Sequence, residues 1–239
     1  MPARSARPAM AVEILFSDNH LVAAAKPAGM ATVPDETGDR SLLDEVRDWI
    51  RTSAGKQGNV FVGVVHRLDR PVSGLVLFAR TSKAASRLSE AWRTRAVEKR
   101  YLGLVAGRPA EPSGEVEQWL LKDERRNVVR LVDAANPDAR RASSRYEVLA
   151  EARGVSLLRL VPLTGRPHQL RVLCQSLGTP LLGDLKYGAS RALADASIAL
   201  HASELVFPHP VGQRVVSLRC EPPDQPWWNE WRSHLGSER

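Results

Sequence analysis

The stretch GVVHRLDRPVSGLVLFAR, residues 63–80, places the tightest limit on how this chain can fold. Short runs rich in β-branched and aromatic residues, VFVGVV at 60–65 and LVLFAR at 75–80, enter and leave it, and each reads as a strand. Between them stand His66, Arg67, Asp69 and Arg70, four polar or charged side chains in five positions. Charges are not buried in a sheet without partners, so the break is a loop held between rigid neighbours, a placement that suits chemical work.

The same alternation of short strands and turns continues along the chain. VEILFSDNHLVAAAKPAG reads as two strands turning at Asp18 and Asn19 and closing in a loop at Lys26, Pro27 and Gly29. SLLDEVRDWIRTSAG is helical, with Ser41 as cap, Asp44 at the third position and Gly55 at the end. A second helix is expected over residues 82–99, followed by a strand at KRYLGLVAG. Residues 125–145 read as an irregular, arginine-rich hairpin zone, and SSRYEVLAEARGVSLLRLVPL as a hairpin turning around Ala152, Arg153 and Gly154. In TGRPHQLRVLCQSLG, Pro167 suits a first helical turn, Leu170, Leu173, Cys174 and Leu177 form an apolar stripe, and Arg171 falls on a face away from most of it. Strands at 198–207 and 214–220 complete an α+β fold with a mixed, largely antiparallel central sheet flanked by helices and loops. With no repeat or linker, residues 12–239 read as a single catalytic domain behind a flexible tail at 1–11.

Composition narrows the partners. The 239 residues carry a formal net charge of +7, which favours a polyanion. The cysteines, Cys174 and Cys220, are too few for a disulfide framework or a metal cage, and the histidines lack ligand spacing, so no metal is expected. No phosphate-binding loop and no dinucleotide fingerprint occurs, and no cofactor is expected. No apolar run approaches membrane-spanning length; the reading is a soluble, cytoplasmic, monomeric protein.

The residues themselves leave Asp69 open to two readings: an ordinary ion pair with flanking Arg67 or Arg70, or a carboxylate oriented by guanidinium groups for use as nucleophile or base. HRLDRPVSGLVLFAR resembles the H-R-L-D segment of the RluA-type pseudouridine synthases. LTGRPHQLRVLCQSLGTPLLGDLKYG is similar to their T-G-R-x-H-Q segment with its following G-D-x-x-Y-G, KRYLGLVAG to their K-x-Y strand, AAAKPAG to their K-P-x-G loop, and LHASELVFPHP to a late element. The matches run in order from Lys26 to Pro210, beginning too early to leave room for a separate N-terminal RNA-binding domain.

The resemblance implies isomerisation of uridine within ribosomal or transfer RNA, with the glycosidic bond cut and the uracil rejoined through C5. It assigns the essential carboxylate to Asp69, a tyrosine stacked on the uracil to Tyr101, and the aspartate's arginine partner to Arg171. Arg67 falls where the displaced nucleotide is held, and His66, Arg166, His168, Gln169 and Lys26 are candidate substrate contacts. Asp184 is expected to fix a turn, and Trp227, Trp228 and Trp231 to form a clasp packed on the body. Pro71, Val72, Pro167, Leu173 and Thr179 depart from the family pattern and place the choice of RNA in question. A noncatalytic RNA-binding or ribosome-assembly protein on the same fold is the alternative. A glycoside hydrolase would need a second carboxylate that these loops do not show.

Overall fold

The computed structural model describes residues 12–53, 55, 58–212 and 214–235. The expected tail at 1–11 lies outside them. The strands are β1 (Ile14–Ser17), β2 (Leu21–Lys26), β3 (Gly63–Val64), β4 (Ser73–Ala79), β5 (Glu98–Ala106), β6 (Ser113–Asp123), β7 (Val128–Leu131), β8 (Arg140–Ala152), β9 (Val155–Pro162), β10 (Leu200–Pro208) and β11 (Val215–Arg219). They form one sheet in the order β1-β2-β4-β10-β5-β9-β8-β6-β7, with β3 joined to β4 and β11 to β10. The β4–β10 pair is parallel and the other named pairs are antiparallel, as an α+β sequence pattern requires.

The helices α1 (Leu42–Ser53), α2 (Ser82–Arg93) and α3 (Gln169–Ser176) pack against this sheet. At the head of α1 Ser41 Oγ donates to Asp44 Oδ2 at 2.7 Å, and the Asp44 N–H returns a bond to Ser41 Oγ at 3.3 Å, the expected reciprocal cap. Strand β4 is buried along its whole length because both faces are covered: Val76 and Phe78 join the α1 side, Leu75, Leu77 and Ala79 the α2 side. Trp228 and Trp231 are buried against Leu104 and Leu157, so the C-terminal clasp forms as expected.

Three local expectations need correction. α2 stops at Arg93, because Arg95 adopts φ 61° and Val97 is buried just ahead of β5, so Glu98 and Lys99 belong to a strand. Pro167 does not open α3; the left-handed residue His168, φ 51°, caps it, and the helix begins one residue later. Residues 113–131 form the regular hairpin β6–β7, for which the sequence offered only an irregular zone starting at 125.

The parallel β4–β10 contact brings backbones very close. At Gly74, φ 122°, an added Cβ would sit 2.4 Å from the Ala202 carbonyl oxygen. Gly74→Ala combines a forbidden contact with a left-handed strain and should cost at least about 3 kcal/mol of unfolding free energy. Urea denaturation checks it; a loss under about 1 kcal/mol would mean that β4 can shift away from β10.

Candidate active site

Asp69 lies in the loop between β3 and β4, and the backbone on each side of it is gripped. Thr32 Oγ1 donates to the Leu68 carbonyl at 2.9 Å and accepts the Leu68 N–H at 3.1 Å. On the other side the Arg70 carbonyl accepts the Gly29 N–H at 2.8 Å and the Lys26 ammonium at 3.1 Å. Lys26 also donates to Pro27 O at 3.0 Å and Met30 O at 2.7 Å, so all three of its protons are engaged by carbonyls. It is fully buried, and burial pushes its pKa down to about 7 against the pull of Asp69. Lys26, expected at the substrate, is instead a brace beneath the loop.

The flanking arginines do not pair with Asp69. Arg70 turns outward to Asp35 at 2.6 Å and Asp39 at 3.1 Å. Arg67 is exposed at the cavity wall and makes no hydrogen bond or ion pair among the described residues. The partner comes from 102 positions away: Arg171 Nη1 approaches Asp69 Oδ2 at 3.4 Å. Arg171 is buried, not on an outer face of α3, and Asp184 grips one edge of its guanidinium: Nε to Oδ2 at 2.7 Å and Nη2 to Oδ1 at 2.7 Å. Burial opposes its charge, but Asp184 and then Asp69 outweigh that and raise the pKa. Asp184 therefore does more than fix a turn.

His168 completes the cluster. Its Nε2 stands 3.7 Å from Asp69 Oδ2 and its Nδ1 lies 2.6 Å from Tyr187 Oη. Tyr187 Oη also accepts the Val129 N–H at 2.8 Å, so its own proton is available to Nδ1. That assignment leaves Nε2–H facing the carboxylate, beyond hydrogen-bond distance but on the side of the same oxygen that Arg171 approaches. Burial lowers the His168 pKa, consistent with a neutral ring donating one proton. The Tyr187 ring also lies 4.8 Å from the Arg171 guanidinium carbon.

Asp69 opens on a cavity of about 740 Å³ whose walls include Tyr101, Arg67, Arg166, Lys99, Lys122 and Lys186. Tyr101 reaches it from β5; burial, then the charge of Asp69, raises its pKa, so the phenol stays protonated. Arg166 lies at the wall with Nε donating to Arg141 O at 3.0 Å. Two other expected contacts are already committed. Gln169 Oε1 accepts from Thr164 Oγ1 at 2.7 Å and the Arg166 N–H at 3.0 Å, while its amide donates to Ser143 O and Ser144 Oγ, both at 2.8 Å. No capacity remains for substrate, and Gln169 serves to shape the 164–168 loop. His66 Nε2 accepts the Leu77 N–H at 2.8 Å, and its ring stacks on Trp92 with centroids 4.8 Å apart.

Residues 20–176 match the family described as RNA pseudouridylate synthase. The chain is 35% identical over 202 residues to the dual-specificity RNA pseudouridine synthase RluA of Vibrio cholerae, covering 83% of this chain and 78% of that protein. It is 34% identical over 242 residues to the tRNA pseudouridine synthase C of Pasteurella multocida, covering 91% and 94%. The solved structure of human RNA pseudouridylate synthase domain containing 4 superposes with a TM-score of 0.76 at 25% identity, covering 93% of this chain and 92% of that one. The chain belongs to the RNA pseudouridine synthases, of RluA type. Its reaction is the isomerisation of uridine in RNA to pseudouridine.

Sequence reasoning about this synthase missed Thr32, which carries no motif, and underused Asp184 and Tyr187. The signal for the latter pair was an aspartate and a tyrosine three apart in a short glycine-bounded loop, Gly183 to Gly188. Of the departures, Leu173 and Thr179 are buried outside the cavity lining, whereas Pro71, Val72 and Pro167 border the cavity, Val72 with its side chain largely buried. Among the described residues no group of three or more His, Cys, Asp or Glu side chains could hold a metal, and no helix is long and apolar enough to cross a membrane.

Two outcomes follow for the synthase. Asp184→Asn leaves a buried guanidinium without its fork partner and should cost about 3–5 kcal/mol of stability, read from urea unfolding; a loss below about 1 kcal/mol would show that Asp69 alone satisfies Arg171. His66 and His201 are held neutral, with pKa values lowered by burial to about 3 and about 4. The unfolded chain takes up protons near 6.5 that the folded chain refuses, so stability is full above 6.5 and falls as pH drops toward 4. His201→Gln should flatten that fall in pH-dependent thermal melts; an unchanged slope would mean the native ring is already charged.

Proposed function

We propose that Asp69 is the group that carries the isomerisation. The observation behind this reading is the unequal use of its two carboxylate oxygens. Oδ2 faces Arg171 and His168, while Oδ1 has no hydrogen-bond partner among the described residues, and Asp69 borders the cavity. A carboxylate oriented through one oxygen can present the other to the ribose or the uracil. Arg171 positions Asp69 and offers its charge a counter-ion. Tyr101, as a neutral phenol, supplies a face for the uracil to stack on, in place of the neighbours the base leaves behind.

An isomerase acting at C1′ must extrude its nucleotide, at a cost of about a few kcal/mol, which aromatic and cationic wall groups offset. Arg67, with no protein partner among the described residues, is suited to hold the extruded nucleotide at the mouth. We assign the substrate to ribosomal or transfer RNA and the setting to the cytoplasm; one relative is named for tRNA and another for dual specificity.

Asp69→Asn keeps the shape and removes the charge. It should lower pseudouridine formation on unmodified rRNA or tRNA transcripts by at least about 1,000-fold, about 4 kcal/mol, while RNA binding and melting temperature stay close to wild type. Pseudouridine mapping by chemical modification reads the product. Product at the wild-type rate would reject the assignment, and RNA binding by the wild-type chain without product would leave the noncatalytic alternative.

A further inference from the structure

Along β5 the residues Lys99 and Tyr101, two apart, both border the cavity, while Arg100 between them pairs with Glu98 at 2.7 Å and Glu204 at 2.8 Å. Lys99 has no such carboxylate: its Nζ donates to the Thr164 carbonyl at 3.0 Å, and it forms no ion pair among the described residues. An ammonium carries three protons, so two remain without an acceptor. The other enclosed cations of the site are satisfied, Lys26 by three carbonyls and Arg171 by Asp184.

Two neighbours locate Nζ. A Cβ built on Gly165 would lie 4.0 Å from it, and its charge is felt by His66. Lys99 thus stands between the loop that carries Asp69 and the 164–168 loop, with Arg67 on the first and Arg166 on the second. Sheltering a charge without a counter-ion costs stability, and burial depresses the Lys99 pKa accordingly. The fold keeps this cost at the wall of the cavity that a polyanion would enter.

We infer that Lys99 is the phosphate anchor of the extruded nucleotide, its ammonium pairing with a phosphodiester that flanks the target uridine. This rests on the RNA reading of the site. A phosphodiester provides the missing negative charge and an acceptor for each spare proton. A uracil carbonyl would provide an acceptor and no charge. Neither Tyr101 nor Asp69 can replace Lys99 here, since the first is an uncharged ring and the second would repel the phosphate.

The test measures binding of unmodified tRNA and rRNA transcripts to wild type, Lys99→Met and Lys99→Arg as salt is raised, with KM and kcat for pseudouridine formation alongside. Lys99→Met should weaken binding about tenfold and make the log–log salt dependence shallower by about 0.7–0.9, the release of counterions from one phosphate. KM should suffer more than kcat, and the melting temperature should hold or rise. Lys99→Arg should keep the wild-type slope.

Three results would overturn the inference. Weaker binding at an unchanged slope would assign Lys99 to an uncharged acceptor on the base. A lower melting temperature at an unchanged slope would reduce it to a prop for Thr164. Unchanged binding would remove it from the RNA altogether. The slope is read from binding, so a wild-type chain that bound RNA and made no pseudouridine would defeat the functional reading while this one was still decided.

Discussion

Arg171 sits with its guanidinium almost out of water, forked onto Asp184 through two bonds of 2.7 Å and covered by the Tyr187 ring. An isolated charge there would be intolerable, and the Asp184 carboxylate offsets its desolvation. Because both nitrogens on one edge of the fork belong to Asp184, Nη1 is turned toward Asp69, and the carboxylate is addressed from a fixed direction. The same turn that supplies Asp184 supplies Tyr187, which fixes His168 and through it a second donor beside the same oxygen. One short loop after α3 therefore sets the electrostatics of a carboxylate in a different part of the chain.

The backbone of that carboxylate is set independently. Lys26, Gly29 and Thr32, at the end of β2 and in the segment after it, bind the peptide groups of Leu68 and Arg70. Side-chain direction is thus governed from α3 and its following turn, and main-chain position from the β2 loop. The sheet joins the two, since β2 and β4 are paired neighbours and β4 leads to β10 and β5, where Tyr101 and Lys99 reside. Such division suits catalysis, in which errors of an ångström in a reacting group are costly.

Much of this was legible in the residues. Local signals placed β1, β2, α1, β5 and the β8–β9 hairpin, because caps, turns and apolar spacing act over a few positions. The site residues Asp69, Tyr101 and Arg171 were legible through motifs, and all three meet at one cavity or its wall. What failed was assignment of partners. Arg70 stands beside Asp69 in sequence, yet its side chain leaves for Asp35 and Asp39, because the turn that exposes the carboxylate points the next residue away. Lys26 and Gln169 read as substrate contacts because they are polar within motifs; only the count of their hydrogen bonds reveals that they are engaged inside the protein.

By itself the sequence determined the strand-rich fold class and the basic character that favours a polyanion, since these depend on residue type and short-range spacing, and its motifs named the candidate site residues through their resemblance to the family. Tertiary structure decided who serves whom. It buried Arg171 and Lys26, brought Asp184 and Tyr187 to the groups that face Asp69, and left Lys99 and Arg67 without counter-ions among the described residues at the cavity. The reason is physical: the energy of a charge depends on water excluded and partners supplied by segments far away in the chain, and neither quantity is encoded in any local stretch.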